Sequence, residues 1–207
     1  MEHILLLVFQ IVVLIYSVVI HEVSHGLMAN ALGDPTAKLL DRLTLNPFKH
    51  LDMFGSIVLP LFLALIRSPF VFGYAKPVPY NPDNLSDRRY GPAKVAIAGP
   101  AANIALAILF GLVLRFLPNA LSGSIIPQLF SFIVLLNLIL AVFNLFPIPP
   151  LDGHWLLMAI LPARFAVLRV FLYRYSLPLL VIFLFFIFPQ VYPLISFIFH
   201  ILTGLTP

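Results

Sequence analysis

No cysteine occurs among the 207 residues, which excludes disulfides and thiolate metal sites. Any metal must therefore be held by histidine, aspartate or glutamate. Charge is scarce as well: 10% of residues carry it, against about 25% in an ordinary soluble domain. Hydrophobic residues make up 61% of the chain and the mean hydropathy is +1.06. That balance excludes a soluble globular protein and specifies an integral membrane protein in a lipid bilayer. Glutamate is almost missing, with Glu2 and Glu22 the only two. The net charge of +4 has no basic face behind it, so no nucleic-acid partner is expected. Basic loops gathered on one side of a membrane account for it. Residues 1–20 lack the basic start and small-residue cleavage site of a signal peptide. There is no internal repeat, low-complexity segment or soluble domain.

Long apolar runs predict an all-α polytopic fold of four to five transmembrane helices, over 4–31, 94–117, 125–146 and a C-terminal region 175–203. That last region reads as one kinked span or a hairpin, because Phe188-Pro189 and Pro193 interrupt it. The piece 53–73 is short and carries Pro60, as expected of a re-entrant segment. If it crosses fully, the Lys and Arg split eight to four; if it dips and returns, eleven lie together against Arg115. Depth agrees: Ile4 to His21 and Ile126 to Asn144 each span ~26 Å of helix. The polar clusters at these two helix ends share a depth if the helices run parallel. The N-terminus is thus expected outside, with the clusters toward the cytoplasmic side. Arg164, Arg169 and Arg174 read as an amphipathic helix meeting anionic lipid.

The first cluster is His21-Glu22-Val23-Ser24-His25, an HExxH pattern inside an apolar run. Four residues of helix bring His21 and His25 to one face, so both imidazoles can hold one metal. Glu22 can serve as general base, and a carboxylate within a span signals function by default. Two histidines leave a catalytic zinc site one ligand short. The second cluster, Asn144-Leu-Phe-Pro-Ile-Pro-Pro-Leu-Asp-Gly153, contains three prolines in four residues and must unwind. It presents Asp152 as third ligand, with His154 the alternative. His50 reads as a gate or transient ligand or, more simply, as a loop histidine before the re-entrant piece, with Asp52 as its helix cap.

These residues resemble the site-2 protease family of intramembrane zinc metalloproteases. HEVSH is similar to the family's HExxH, NLFPIPPLDG to its NxxPxPxLDG, and Gly99-Pro-Ala-Ala-Asn103 to its GPxxN. FGYAKPVPYNP resembles its short membrane-associated strand region. The resemblance implies one single integral-membrane protease domain over 1–207, with a catalytic core at 4–160, in a minimal form without PDZ or CBS domains. It implies one Zn2+ per chain on His21, His25 and Asp152, with Glu22 as general base and Asn144 stabilising the oxyanion. It also implies that Asn103, Gly99 and Pro100 help position the substrate. Read as residues alone, either asparagine serves equally as a helix–helix hydrogen bond.

The reaction so implied is hydrolysis of a peptide bond within or beside a substrate transmembrane helix. The strand region would pair with the unwound substrate segment. Two rivals use the same residues: an inactive membrane-protein binding or trafficking factor, and a metal transporter. The intact Glu22 speaks against the first. The absence of carboxylates from the later spans speaks against the second.

Overall fold

The computed structural model describes residues 2–66, 75–117 and 123–206. The chain opens with α1 (Glu2–Ala31) and a one-turn α2 (Thr36–Leu39). A π-helical turn, Met53–Val58, leads into α3 (Leu59–Leu65). Then come α4 (Gly91–Arg115), α5 (Ile126–Asn144), α6 (Gly153–Ile160) and α7 (Ala166–Arg174). The last stretch is α8 (Ser176–Ile182), a π-helical turn at Phe183–Ile187, and α9 (Phe188–Thr203).

Among the described residues, four helical stretches are long and apolar enough to cross a bilayer: His3–Ala31, Gly91–Arg115, Ile126–Asn144 and Ser176–Thr203. Their outward faces expose Ile4, Leu5, Leu109 and Leu194. A continuous apolar exterior of this kind has lipid as its solvent. The C-terminal region is one span, not a hairpin. Pro189 lies in the first turn of α9, and the π-helical turn before it absorbs the missing N–H. The helical piece over 53–65 reaches only ~20 Å, short of the ~30 Å hydrocarbon core. The rest of the segment expected to be re-entrant extends into 67–74, outside the described residues.

Small residues set the spacing of the bundle. A Cβ on Gly111 of α4 would meet the Leu202 Cβ at 3.0 Å, so glycine lets α4 approach α9. Ala107, Val134, Leu138, Ile195 and Phe199 form the buried core of α4, α5 and α9. Contacts fix the directions. His25 meets Val95 and Ser17 meets Asn103, so α1 and α4 are antiparallel. Phe146, just after α5, stacks on Phe183 at 4.2 Å, while Arg115 caps the carbonyl of Ile201. Hence α1 and α5 end, and α4 and α8 begin, at one end of the bundle.

The strand expected over Phe72–Pro82 is absent from its described part, residues 75–81, which follow an irregular path. Pro77 and Pro79 supply no N–H for a ladder. Several polar groups of this path find partners elsewhere in the chain. Arg42 Nη2 donates to the carbonyls of Lys76 (3.0 Å) and Pro77 (3.5 Å). Lys76 N–H donates to the His50 carbonyl at 2.8 Å.

Candidate metal centre and its surroundings

The last turns of α1 carry His21 and His25, which retain 7% and 9% of their exposure. The chain leaves α5 at Asn144, unwinds through its prolines and turns into α6 directly after Asp152. Gly153 makes this turn possible, since a Cβ there would collide with the carbonyls of Leu145 and Phe146. Asp152 is thereby delivered onto the histidines. Its Oδ2 lies 3.0 Å from His21 Nε2 and 3.3 Å from His25 Nε2. One ligand atom from each of the three residues lies within 4.8 Å of the others. The sequence-distant clusters meet as one site.

Hydrogen bonds decide which nitrogens face inward. His25 Nδ1 lies 2.8 Å from the Val95 carbonyl, which only accepts, so Nδ1 carries the proton. His21 Nδ1 lies 2.6 Å from Asn103 Oδ1. That amide orientation is fixed in turn: Asn103 Nδ2 donates to the Ser17 carbonyl at 3.3 Å and to Asn137 Oδ1 at 2.8 Å. Asn137 Nδ2 donates to Ser17 Oγ and to the Ile133 carbonyl. Both Nε2 lone pairs therefore point at the Asp152 carboxylate. Three acceptors converging in a buried space repel one another unless a cation lies between them, so the donor set fits a metal.

Gly99 supplies the floor. A Cβ there would stand 2.6 Å from His21 Nε2 and 2.5 Å from His25 Nε2. Pro100, one residue on, deprives the Ala96 carbonyl of its helical donor beside the Val95 carbonyl that holds His25. Gly99, Pro100 and Asn103 are buried behind the histidines and do not line the open cleft. The Asn103 amide is committed to His21, Ser17 and Asn137, and Gly99 leaves room for the two imidazoles.

The cleft itself holds about 220 Å³ and is lined by Glu22, Val78, Tyr80, Asn144, Asp152 and Trp155 beside the histidines. Glu22 Oε2 accepts from the Val78 N–H at 2.9 Å. Asn144 Nδ2 donates back to the Leu140 carbonyl at 2.9 Å, leaving its second N–H for the cleft. The Tyr80 hydroxyl is buried with no partner among the described residues. Burial, with the Asp152 carboxylate second, pushes its pKa up to about 12, so it remains a neutral donor. His154 bonds the Leu151 carbonyl through Nδ1 and lies outside the ligand group. His50 bonds the Thr44 carbonyl in its own loop, and Asp52 accepts from the Gly55 N–H as a cap does.

Sequence reasoning missed Ser17, Asn137, Val78 and Asp34. Asn137 did leave a signal, as the one amide inside IVLLNLIL. Asp34 follows Gly33, whose φ of +105° ends α1, and its buried carboxylate accepts from Thr36, Asn81 and Asn84. That ties the far end of the 75–81 loop to α1.

The peptidase family M50 profile matches residues 119–187. YwhC of Bacillus subtilis (strain 168), which carries a provisional zinc-metalloprotease name, is 39% identical over 76% of this chain and 71% of its own length. Rip2 of Mycolicibacterium smegmatis, named likewise, is 32% identical over 67% of the chain and 51% of its own length. Zinc metalloprotease MJ0392 of Methanocaldococcus jannaschii is 27% identical over 76% of the chain, which spans only 36% of that protein. No solved structure matches significantly. Given the extent of the YwhC match, and a profile that falls on the segment unwinding toward Asp152, this chain belongs to peptidase family M50, the site-2 proteases.

Proposed function

We propose that this chain is an intramembrane zinc metalloprotease that hydrolyses peptide bonds within or beside transmembrane helices, as in regulated intramembrane proteolysis. The observation that carries this reading is the convergence of His21, His25 and Asp152 beside Glu22 in a membrane-spanning bundle. Zinc held there would supply Lewis-acid polarisation of a peptide carbonyl and ready deprotonation of a water.

The chain's own residues do the rest. Glu22 takes the water's proton on its carboxylate and returns it to the leaving amine. The Val78 N–H orients that carboxylate through Oε2 and leaves Oε1 for the water. Asn144 offers its spare N–H, and Tyr80 its hydroxyl, to the oxygen on which negative charge develops. The Ser17–Asn137–Asn103 network holds the His21 ring in one orientation.

Of the eleven described Lys and Arg, ten lie at the bundle end that carries the site and only Arg115 at the other. This supports a site toward the cytoplasm with the N-terminus outside. The substrate is a transmembrane protein or peptide whose helix unwinds locally to reach the cleft.

Zinc per chain in the purified protein tests the centre directly. About one zinc in the wild type, weakened or lost in Asp152→Ala, is expected. Full zinc in that variant removes Asp152 as ligand. With the metal established, Glu22→Gln is expected to retain zinc and lose cleavage of a membrane substrate; cleavage retained would overturn the assignment of the base.

A further inference from the structure

A second cavity, of about 480 Å³, lies on the other side of Trp155 from the metal centre. Its walls carry Arg88 and Arg89 from the turn before α4, Arg169 from α7, and Trp155, Met158 and Pro162. Arg169 is built in. Its Nη2 donates to the carbonyls of Met158 (3.3 Å) and Leu161 at the C-terminal end of α6. Its Nε is buried with no acceptor among the described residues. Arg89 lies with its guanidinium 5.0 Å over the Tyr90 ring, and neither its side chain nor that of Arg88 bonds an acceptor among the described residues.

Among the described residues, no carboxylate lines this cavity. Asp87, next in the chain to Arg88, is already engaged by Lys94 Nζ at 3.1 Å and by the N–H groups of Arg89 and Tyr90. Three guanidinium groups thus face one space with no carboxylate among the described residues to compensate them, and Arg169, fixed by two carbonyls through Nη2, keeps its Nε–H for an oxyanion. The volume falls in the ~300–1,000 Å³ range of ligand sites. The partner is also partly apolar: Trp155, Met158, Leu161 and Pro162 form the opposite wall, and α7 exposes Val167, Val170 and Phe171 beside it. A group carrying phosphate on an apolar body meets both halves.

We propose that this cavity binds the phosphate of an anionic phospholipid headgroup. Bound lipid packs against Trp155, the residue that also walls the metal centre, and so fixes that wall from behind. The inference rests on the arginine-lined cavity and does not depend on the protease reading.

Trp155 is the only tryptophan in the chain, which makes it a reporter at the site itself. The full-length protein is reconstituted into phosphatidylcholine vesicles containing phosphatidylglycerol, with either lipid brominated on its acyl chains. Brominated phosphatidylglycerol is expected to quench Trp155 several-fold more than brominated phosphatidylcholine at equal mole fraction. Replacing the exposed Arg88 and Arg89 by Gln is expected to weaken anionic-lipid binding by ~5-fold per arginine and so to bring the two quenching values together. Arg169→Gln is expected to act similarly.

Equal quenching by the two lipids in wild type overturns the proposal. A change in Trp155 emission with inorganic phosphate in wholly zwitterionic vesicles, with no lipid preference, assigns a free anion and overturns the lipid. A change produced only by an acidic peptide assigns a polypeptide and overturns it equally.

Discussion

Gly99→Ala separates metal-centre geometry from helix stability, because the two respond in opposite directions. Gly99 lies within α4, where alanine is favoured over glycine by about 1 kcal/mol. On propensity alone the variant should be slightly more stable. The added Cβ, however, would meet His25 Nε2 at 2.5 Å and His21 Nε2 at 2.6 Å. Ordinary van der Waals contact begins near 3.4 Å, so the rings must retreat by roughly 0.8 Å. Metal–ligand distances tolerate only about 0.2 Å. Neither ring can retreat freely, since His21 is held by Asn103 and His25 by Val95. Metal affinity is expected to fall by at least the 10–100-fold typical of losing a supporting contact around a metal site. The assay is zinc retained against a graded chelator series, with thermal unfolding measured in parallel. Gly111→Ala is the control, on the same helix: its Cβ would meet Leu202 at 3.0 Å, remote from the site. It should alter stability and leave zinc unchanged. Wild-type zinc affinity in Gly99→Ala, in a folded protein, would refute the placement of both Nε2 atoms over this glycine.

Asn103→Leu should loosen zinc by ~10–100-fold by freeing the His21 ring, and Asn137→Leu by less, because it acts one hydrogen bond further away; the chelator series measures both. Gly153→Ala should lose zinc and unfold at lower temperature, since the turn that delivers Asp152 cannot close over a Cβ; a thermal shift with metal analysis checks it. Asp34 yields a pH prediction. Burial alone would raise its pKa, but hydrogen bonds from Thr36, Asn84 and Asn81 outweigh it and hold the carboxyl below its ordinary range. A folded-state pKa below the unfolded value means stabilisation present above about pH 4 and lost as pH falls through the folded value. Asp34→Asn should therefore flatten acid unfolding in that window, read by circular dichroism, and should raise proteolysis at 75–84 at neutral pH.

The spans and the grouping of His21, His25 and Asp152 were legible because lipid leaves so few choices. An apolar run long enough to cross must be helical, and an ionisable group inside one needs a reason. His21, Glu22 and His25 announce themselves by violating that background, and the Pro147–Pro150 stretch announces the unwinding before Asp152. The support around them was not legible. Ser17 and Asn137 are ordinary polar residues until α4 places Asn103 between them, 86 and 34 positions away in sequence. The motif reading picked out Gly99, Pro100 and Asn103, but not that they pack behind the histidines. Pattern carries identity, whereas the side of a helix on which a neighbour packs is a tertiary fact. Over the described residues 75–81 no strand forms, for a local reason that the sequence already contained, the prolines at 77 and 79.

That same loop shows how irregular backbone is sustained beside the metal centre. Between Pro77 and Pro79 the one available N–H is that of Val78, and Glu22 takes it. While that bond stands, this stretch has no donor to offer a substrate strand, so any pairing there must use its carbonyls. The loop is clamped at both ends: Arg42, itself buried, holds the carbonyls of Lys76 and Pro77, and Asp34 holds the N–H of Asn81. Between the clamps, Val78 packs where a Cβ on Gly26 would stand only 2.7 Å from its Cγ1, so α1 must present glycine there. Each bond satisfies a peptide group that would otherwise be costly at membrane depth. Together they fix the one peptide that orients Glu22. Satisfying the backbone and aiming the Glu22 carboxylate are therefore achieved by a single set of contacts. Loosening the loop at Asp34 should show first as a misplaced Glu22, before any loss of the helices.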